Sequence, residues 1–226
     1  MNAFATAMLD QLQHPTRDIQ FRMEMANGSG FNCSCQDFLQ LRPEEETLLT
    51  GLLRDRPTPT VLDVGCGVGR HLDFVRRQQP AAQLVGIEKA DDLRHYCSER
   101  FESARFWQCF ADVPDDLCFD LVLLMGNGLG IFGDEQSTLT GLRRIHGLLN
   151  PGGVLAVETG NPFARSDFLV SRFTIGYRNQ IDEMLSWGYA SCSWLERNLA
   201  ATGYQLDRVV RSSALGGFFI VCALKA

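Results

Sequence analysis

The sequence lacks the long apolar stretches that membrane insertion or export would need. No run of apolar residues reaches the roughly 20 residues of a membrane-spanning helix. Residues 1–10 have neither the basic start nor the long apolar segment of a secretory signal peptide. These absences predict a soluble protein of the cytoplasm, with no membrane partner.

Clustered positive charge is also missing. The chain carries 21 Lys and Arg against 27 Asp and Glu, a net charge of −6, and its basic residues are scattered along the sequence. Nucleic-acid binding usually requires a basic stripe that neutralises several phosphates. The charge pattern therefore disfavours a nucleic-acid substrate.

The 8 cysteines form no CxxC pair, and Cys33 and Cys35 are the only close pair. A zinc site needs a second cluster of Cys or His at ligand spacing, which the sequence does not provide. We therefore predict no metal site, and we expect the cysteines to be buried free thiols.

A length of 226 residues suits one domain, residues 1–226, built on one large α/β core. Apolar runs alternate with helical patterns, which predicts a parallel sheet with right-handed crossovers. The predicted strands lie at 60–64, 83–87, 105–109, 119–125, 153–159, 205–212 and 217–224. The predicted helices lie at 70–78, 91–101, 135–149 and 193–202. Only residues such as Ser213, Ala214 and Leu215 separate the last two strands, which predicts an antiparallel hairpin.

The most informative segment is the apolar run at 61–64 that leads into three alternating glycines. Gly65, Gly67 and Gly69 stand between a predicted strand and a predicted helix, where they can take positive φ or let a ligand approach the backbone. The free N–H groups of the following helix would face that ligand. A dinucleotide fingerprint needs a glycine at the sixth position, where this sequence has Arg70. The turn therefore predicts a cradle for a different cofactor.

This stretch, with Asp63 two residues before the first glycine, resembles motif I of the class I S-adenosylmethionine-dependent methyltransferases. A second apolar run, 83–87, ends in Glu88, where a carboxylate can accept both ribose hydroxyls of a cofactor. The alternative is a tight turn without ligand and a salt-bridged Glu88, which leaves the three glycines unexplained. The resemblance implies S-adenosyl-L-methionine as cofactor, with Asp63 near its amino group.

The resemblance also implies a fold and a set of site residues. It covers residues 45–160 well, and it implies a Rossmann-like seven-stranded, mostly parallel sheet with helices on both faces and an antiparallel C-terminal hairpin. The run at 119–125 resembles the strand whose carboxyl end lies beside the transferred methyl group. The implied cofactor-binding residues are Asp63, Gly65, Cys66, Gly67, Gly69, Glu88, Lys89, Phe110, Asp112, Met125 and Gly126.

The adenine side departs from the family pattern. Many members carry Asp or Glu after the third strand to bind the exocyclic amine, and the matching stretch here is 108–112. Either Asp112 reaches back to the adenine, or a backbone group binds it. Phe110 either packs on the adenine face or belongs to the core.

The loop at 126–130 is the predicted active-site loop, because open α/β sheets bind ligands beyond the carboxyl ends of their strands. Asn127 offers a donor and an acceptor to the atom being methylated, or else satisfies the amides of its own loop. Methyl transfer is an in-line displacement in which alignment supplies much of the rate and a base is optional. His71 is the candidate base, with packing against the cap or cofactor as the alternative.

The segments without motifs are expected to cover the site. Residues 1–42 are predicted to form an N-terminal cap or lid, and residues 162–190 a substrate-side insert before the last helix. Arg178 would suit a substrate carboxylate, although a solvated edge-strand arginine is the commoner explanation. The candidate substrate-binding residues are Arg70, Tyr177, Arg178, Trp187 and Tyr189.

These features together predict a methyltransferase that transfers a methyl group to nitrogen or oxygen of a small-molecule metabolite, as a monomer or homodimer. The segments 65–71, 126–130 and 173–189 resemble small bacterial methyltransferases of unassigned substrate. The alternatives are methylation of RNA or protein, and a non-catalytic S-adenosylmethionine-binding partner subunit. An Asp/Asn-Pro-Pro-Tyr-like element would favour RNA or protein, and the loop at 125–128 lacks it.

Overall fold

The fold consists of two β-sheets and the helices that cover them. It is taken from a computed structural model, which describes residues 2–161, 166–211, 213 and 217–225. The elements in chain order are α1 (Ala3–Gln13), β1 (Gln20–Met25), β2 (Gly30–Ser34), α2 (Pro43–Leu53), β3 (Thr60–Val64), α3 (Arg70–Gln78), β4 (Gln83–Ile87), α4 (Asp91–Arg100), β5 (Arg105–Trp107), β6 (Phe119–Leu124), α5 (Glu135–Leu148), β7 (Leu149–Gly160), β8 (Phe168–Tyr177), β9 (Gln180–Ile181), β10 (Leu185–Ala190), α6 (Cys192–Thr202), β11 (Tyr204–Arg211) and β12 (Phe218–Lys225). No helix in these ranges is long and apolar enough to cross a membrane.

The larger sheet has seven strands in the spatial order β11-β12-β7-β6-β3-β4-β5. Strands β3 to β7 run parallel, and β12 runs antiparallel to both of its neighbours. From β3 the chain moves to β4 on one side and later to β6 on the other, which makes the carboxyl end of β3 a topological switch point. The predicted fold class, the seven strands and the terminal hairpin are confirmed.

Three predicted elements match the structure at both ends, namely β3, β4 and α3. The predicted strand at 105–109 is shorter, because β5 is an edge strand with hydrogen bonds to β4 alone. The predicted strand at 153–159 is longer, because β7 pairs with strands on both sides. The predicted positions 212 and 214–215 lie outside the described residues.

Helices cover both faces of the larger sheet, so its central strands are apolar along nearly their whole length. One face packs against α5 and α6, through residues such as Leu142 and Leu195. The other face packs against α2 and α3, through residues such as Leu49 and Leu72. The central strands are therefore buried on both faces.

The smaller sheet joins the two segments that were predicted to cover the site. Its order is β10-β8-β1-β2, with β9 paired to β8, and all of its strand pairs are antiparallel. The N-terminal strands and the insert therefore share one hydrogen-bonded sheet. No local pattern in the sequence predicts this sheet, because β1 and β8 are separated by more than a hundred residues. Positions 162–165 of the predicted insert lie outside the described residues.

Helix α1, which was not predicted, fastens the smaller sheet. Its buried face packs against Phe21 and Phe173. The Asp182 carboxylate accepts hydrogen bonds from the N–H groups of Ala3 (2.6 Å) and Phe4 (3.2 Å), so the insert caps the N-terminus of the helix. Ala3 and Phe4 are therefore held by the insert.

The smaller sheet meets the larger one through β10. Trp187 Nε1 donates to the carbonyl oxygen of Asn127 (3.1 Å), and the Ala190 N–H donates to Thr159 Oγ1 (3.3 Å). The indole lies directly against Gly130, where an added Cβ would stand 1.9 Å from Trp187 Nε1. A glycine is therefore required next to the indole.

We expect Gly130→Ala to lower the free energy of unfolding by about 1–3 kcal/mol, because the new methyl group must displace the Trp187 ring. Gly147→Ala is the matched control, since a Cβ at Gly147 in α5 meets nothing within 4 Å. The control should leave stability unchanged or raise it by up to about 1 kcal/mol. Urea unfolding measures both variants, and equal stabilities for the two would contradict the contact.

Candidate cofactor and active site

The glycine turn after β3 has the conformation that the sequence predicts. Gly65, Gly67 and Gly69 have φ values of 75°, 55° and 76°. The N–H groups of Gly65 and Cys66 donate to the Ile87 carbonyl oxygen at 2.8 and 2.9 Å, which ties the turn to β4. Helix α3 begins directly after the turn, so its N-terminal N–H groups face the carboxyl edge of the sheet.

Gly67 and Gly69 have different surroundings on the side where a side chain would stand. At Gly67 an added Cβ would meet nothing within 4 Å, so the backbone there borders open space. At Gly69 an added Cβ would stand 2.6 Å from the Phe101 ring. Gly67 therefore leaves room for a ligand next to the main chain, whereas Gly69 is required by packing.

The Glu88 carboxylate lies beside the open part of the turn. Its Oε2 accepts from the Gly67 N–H at 2.9 Å, and its Oε1 accepts from the Ala90 N–H at 2.8 Å. Burial raises the pKa of Glu88, and the two backbone N–H groups act in the opposite direction. A carboxylate has about four lone-pair sites, so each oxygen can still accept a hydrogen bond from a ligand.

A buried histidine stands between two acidic residues behind the turn. His71 Nδ1 lies 3.4 Å from Asp63 Oδ2, and His71 Nε2 lies 3.5 Å from Glu45 Oε1. Burial by itself lowers the pKa of His71, but the neighbouring carboxylates outweigh it and raise that pKa above its ordinary value. The two carboxylates therefore favour the protonated form of the imidazole.

Glu45, on the first turn of α2, is completely buried and was not predicted as a site residue. Its carboxylate accepts from the backbone N–H of Arg42 (2.7 Å), from Arg42 Nη2 (2.8 Å) and from Arg70 Nη2 (3.1 Å). Burial raises the pKa of Glu45, but His71, Arg70 and the Arg42 N–H outweigh it and lower that pKa to about 2. Glu45 therefore stays ionised.

A second buried carboxylate supports the loop after β6. Glu158 Oε2 accepts from the N–H groups of Gly126 (2.6 Å) and Asn127 (3.3 Å), and Oε1 pairs with Arg42 Nη2 at 2.6 Å. The side-chain Oδ1 of Asn127 is buried and has no hydrogen-bond partner among the described residues. A buried acceptor of this kind requires a donor from a ligand or from water.

Comparison with known proteins gives matches that include the glycine turn, Glu88 and the loop after β6. A family model described as "Methyltransferase domain" matches residues 61–153. Rat glycine N-methyltransferase is 27% identical over 136 residues, which cover 52% of this chain and 46% of that protein. Trans-aconitate 2-methyltransferase of Rhodopseudomonas palustris strain BisB18 is 27% identical over 146 residues, which cover 63% of this chain and 55% of that protein. The chain spans about half the length of these curated relatives.

A solved structure resembles the whole chain. It is a SAM-dependent methyltransferase from Bacteroides fragilis in complex with S-adenosyl-L-homocysteine. That chain is 19% identical, with a TM-score of 0.79 and coverage of 100% of this chain and 95% of the other. The match extends over both sheets and shows that they form one known fold. Residues 61–153 therefore match the methyltransferase family model, and the fold of the chain is that of this solved SAM-dependent methyltransferase.

Arg70, which was predicted to bind substrate, lies in the network of ion pairs around Glu45. Its Nη1 donates to the carbonyl oxygens of Asp37 (2.9 Å) and Gln40 (2.6 Å), and its Nη2 meets Glu45. Burial lowers the pKa of Arg70. In this structure the side chain connects the N-terminal segment to the helix that follows motif I.

On the expected adenine side, Phe110 packs against protein groups. Its ring lies edge-on to Phe132, with centroids 6.0 Å apart, and the Arg144 guanidinium lies 5.3 Å from the Phe110 centroid. Asp112 is exposed, and its Oδ2 accepts from the Cys109 N–H at 3.1 Å. Of the other predicted cofactor-binding residues, Cys66 and Met125 are buried, whereas Lys89 is exposed to solvent.

The four predicted substrate residues of the insert lie in different places. Trp187 contacts the Asn127 loop. The Tyr177 hydroxyl donates to Asp10 Oδ2 at 2.8 Å, and Arg178 Nη2 pairs with the same oxygen at 2.6 Å, so both fasten the smaller sheet to α1. Tyr189 lies edge-on to Phe218, with centroids 6.3 Å apart.

The imidazolium of His71 should make stability depend on pH. A group whose pKa is raised on folding stabilises the folded state below its unfolded pKa, about 6.5, and loses that effect as pH rises through the folded pKa. We expect His71→Gln to cost about 1–3 kcal/mol near pH 6, because two buried carboxylates lose a partner. The cost should shrink towards pH 9 in urea unfolding.

His95→Gln is the control for this experiment, because His95 is a surface histidine on α4 whose side chain is 76% exposed. Its effect on the free energy of unfolding should be small and flat over the same pH range. A His71→Gln cost that is constant with pH would rule out a charged imidazole at this position.

Proposed function

We propose that the chain binds S-adenosyl-L-methionine and transfers its methyl group to nitrogen or oxygen of a small-molecule acceptor. One observation carries this proposal. The Glu88 carboxylate is fixed at the open side of the glycine turn by the N–H groups of Gly67 and Ala90, with lone pairs left for a ribose diol. Because both partners are backbone groups, the carboxylate is positioned before any ligand arrives.

The residues around the turn fit the rest of the cofactor. The buried Asp63 carboxylate suits the cofactor's ammonium group, and its Oδ2 also faces His71 Nδ1 at 3.4 Å. The N-terminus of α3 suits the cofactor's carboxylate, because the free N–H groups of the helix point towards the space beside the glycine turn. The main chain at Gly67 has open space for a ligand. We therefore assign cofactor binding to Asp63, the glycine turn and Glu88.

When bound, the sulfonium supplies an activated methyl group, and the protein contributes alignment and exclusion of water. Ordered reactants can reach effective molarities on the order of 10⁵ M or more. We assign the alignment of the acceptor to Asn127, whose buried Oδ1 requires a donor. An amine N–H or a hydroxyl O–H provides such a donor, which favours nitrogen or oxygen acceptors that carry hydrogen.

His71 is better placed to support Asp63 than to act as a base. Both of its ring nitrogens face carboxylates, at 3.4 and 3.5 Å. We therefore propose that His71 orients Asp63, and that the acceptor arrives uncharged, with a hydrogen to donate to Asn127, and releases its proton to water as the methyl group is transferred. An amine acceptor meets this requirement without a dedicated base.

The relatives support a small-molecule acceptor. Their names describe glycine methylated on nitrogen, and trans-aconitate. Both acceptors are small, although they differ in chemistry, so the acceptor of this chain must be found by experiment. Glycine, other amines, phenols and small carboxylic acids form a suitable first screen.

Isothermal titration with S-adenosyl-L-methionine tests cofactor binding. Glu88→Gln and Asp63→Asn should each raise the dissociation constant at least tenfold, because one charged hydrogen bond contributes about 1.5–3 kcal/mol. Glu102→Gln, an exposed glutamate beyond α4, is the matched control and should bind as the wild type does. Absence of binding by folded wild-type protein would refute the proposal, and wild-type affinity in Glu88→Gln would refute the ribose assignment.

Transfer of a labelled methyl group to the screened acceptors tests Asn127. With the acceptor that the wild type uses, Asn127→Ala should lower kcat about 10- to 100-fold and leave cofactor affinity within about threefold, because the side chain faces the acceptor. Asn127→Asp keeps an oxygen acceptor and should retain more activity than Asn127→Ala. Asn32→Ala, an exposed position on β2, serves as control. Unchanged kcat in Asn127→Ala would remove Asn127 from the mechanism.

A further inference from the structure

Glu158 is a buried carboxylate whose role the proposed function leaves open. It lies near the carboxyl end of β7, is completely buried, and directs Oε2 at two successive backbone N–H groups. These belong to Gly126 and Asn127, which both have left-handed backbone conformations, with φ of 65° and 59°. Consecutive N–H groups that converge in this way form an anion-binding concavity, which Glu158 fills.

The conformation of Asn127 needs outside support. Among the described residues only Asn127 and Arg178 have positive φ without being glycine. Such a backbone persists when its surroundings hold it in place. The hydrogen bonds to Glu158 on one side and from Trp187 Nε1 to the Asn127 carbonyl oxygen on the other provide that support.

Arg42 fixes Glu158 in turn. Its Nη2 lies 2.6 Å from Glu158 Oε1 and 2.8 Å from Glu45 Oε1, so one guanidinium group bridges two buried carboxylates. Arg42 immediately precedes α2, at the end of the N-terminal segment. The position of the Asn127 loop is thereby linked to the segment that leads out of the smaller sheet.

We propose that Glu158 and Arg42 are positioning residues, which hold the backbone of Gly126 and Asn127 so that the Asn127 side chain faces the methyl acceptor. This inference rests on the proposed function for the role of Asn127. The positioning itself is a property of the protein alone. Because Glu158 already fills the concavity of N–H groups, that concavity is closed to a substrate anion.

The position of the loop is measured in the full chain labelled with 5-fluorotryptophan. The protein has 3 tryptophans, so three fluorine resonances are expected, and Trp187→Phe assigns that of Trp187. Glu158→Gln has nearly the same shape as glutamate but lacks the charge that Arg42 holds. We expect it to shift the Trp187 resonance and to speed amide hydrogen exchange at Gly126 and Asn127 at least tenfold.

Three controls separate positioning from general loosening. The resonances of Trp107 and Trp194 should stay in place in Glu158→Gln, whereas a general loss of packing would move all three. Glu44→Gln should leave Trp187 unmoved, because Glu44 pairs with Nε of Arg42, at 3.3 Å, and not with the edge that meets Glu158. Should Glu158→Gln fail to fold, Arg42→Lys provides a milder variant, with a smaller shift in the same direction.

The result that overturns the inference is a folded Glu158→Gln or Arg42→Lys with the wild-type Trp187 resonance and wild-type exchange at both amides. Movement of all three fluorine resonances together would also overturn it. None of these measurements uses the cofactor. Failure of the wild type to bind S-adenosyl-L-methionine would therefore refute the proposed function without deciding whether Glu158 positions the loop.

Discussion

The buried ion pairs of the Glu45 carboxylate are the interactions on which the candidate site depends. The carboxylate contacts Arg42, Arg70 and His71, and through them it reaches Glu158 and Asp63. With His71 protonated, three carboxylates face two guanidinium groups and one imidazolium, so the buried charges balance. Removing one partner from such a network leaves an uncompensated buried charge, which costs far more than an exposed ion pair contributes. Buried charges that balance only when all are present hold their geometry closely.

This network explains how the two sheets share one site. The glycine turn and Glu88 belong to the larger sheet, whereas Trp187 belongs to the smaller one. Strand β7 serves both sheets, because Thr159 accepts from the Ala190 N–H and the neighbouring Glu158 holds the Asn127 loop. The Asn127 loop of the larger sheet and strand β10 of the smaller sheet are therefore fastened to the same strand.

Much of the fold could be predicted because its signals are local. The bounds of β3 and α3 follow from apolar periodicity and from glycines that require positive φ. The carboxylates Asp63 and Glu88 could be predicted because each stands where a parallel strand ends. In contrast, Glu45 and Arg42 carried only the signal of a helix start, with Pro43 at the first position and Glu45 reaching back to the Arg42 N–H. No neighbouring residue in the sequence indicates that Glu45 contacts His71 or that Arg42 contacts Glu158.

The sequence by itself determined the parallel sheet, the glycine cradle and the two acidic strand ends, because each depends on residues within a few positions of one another. Tertiary structure alone decided that the N-terminal strands and the insert form one sheet, that both nitrogens of His71 face carboxylates, and that Tyr177 and Arg178 meet Asp10. Those contacts join residues 8 to 168 positions apart in the chain. Their partners are set by packing and by the need to pair buried charge, which no local pattern records.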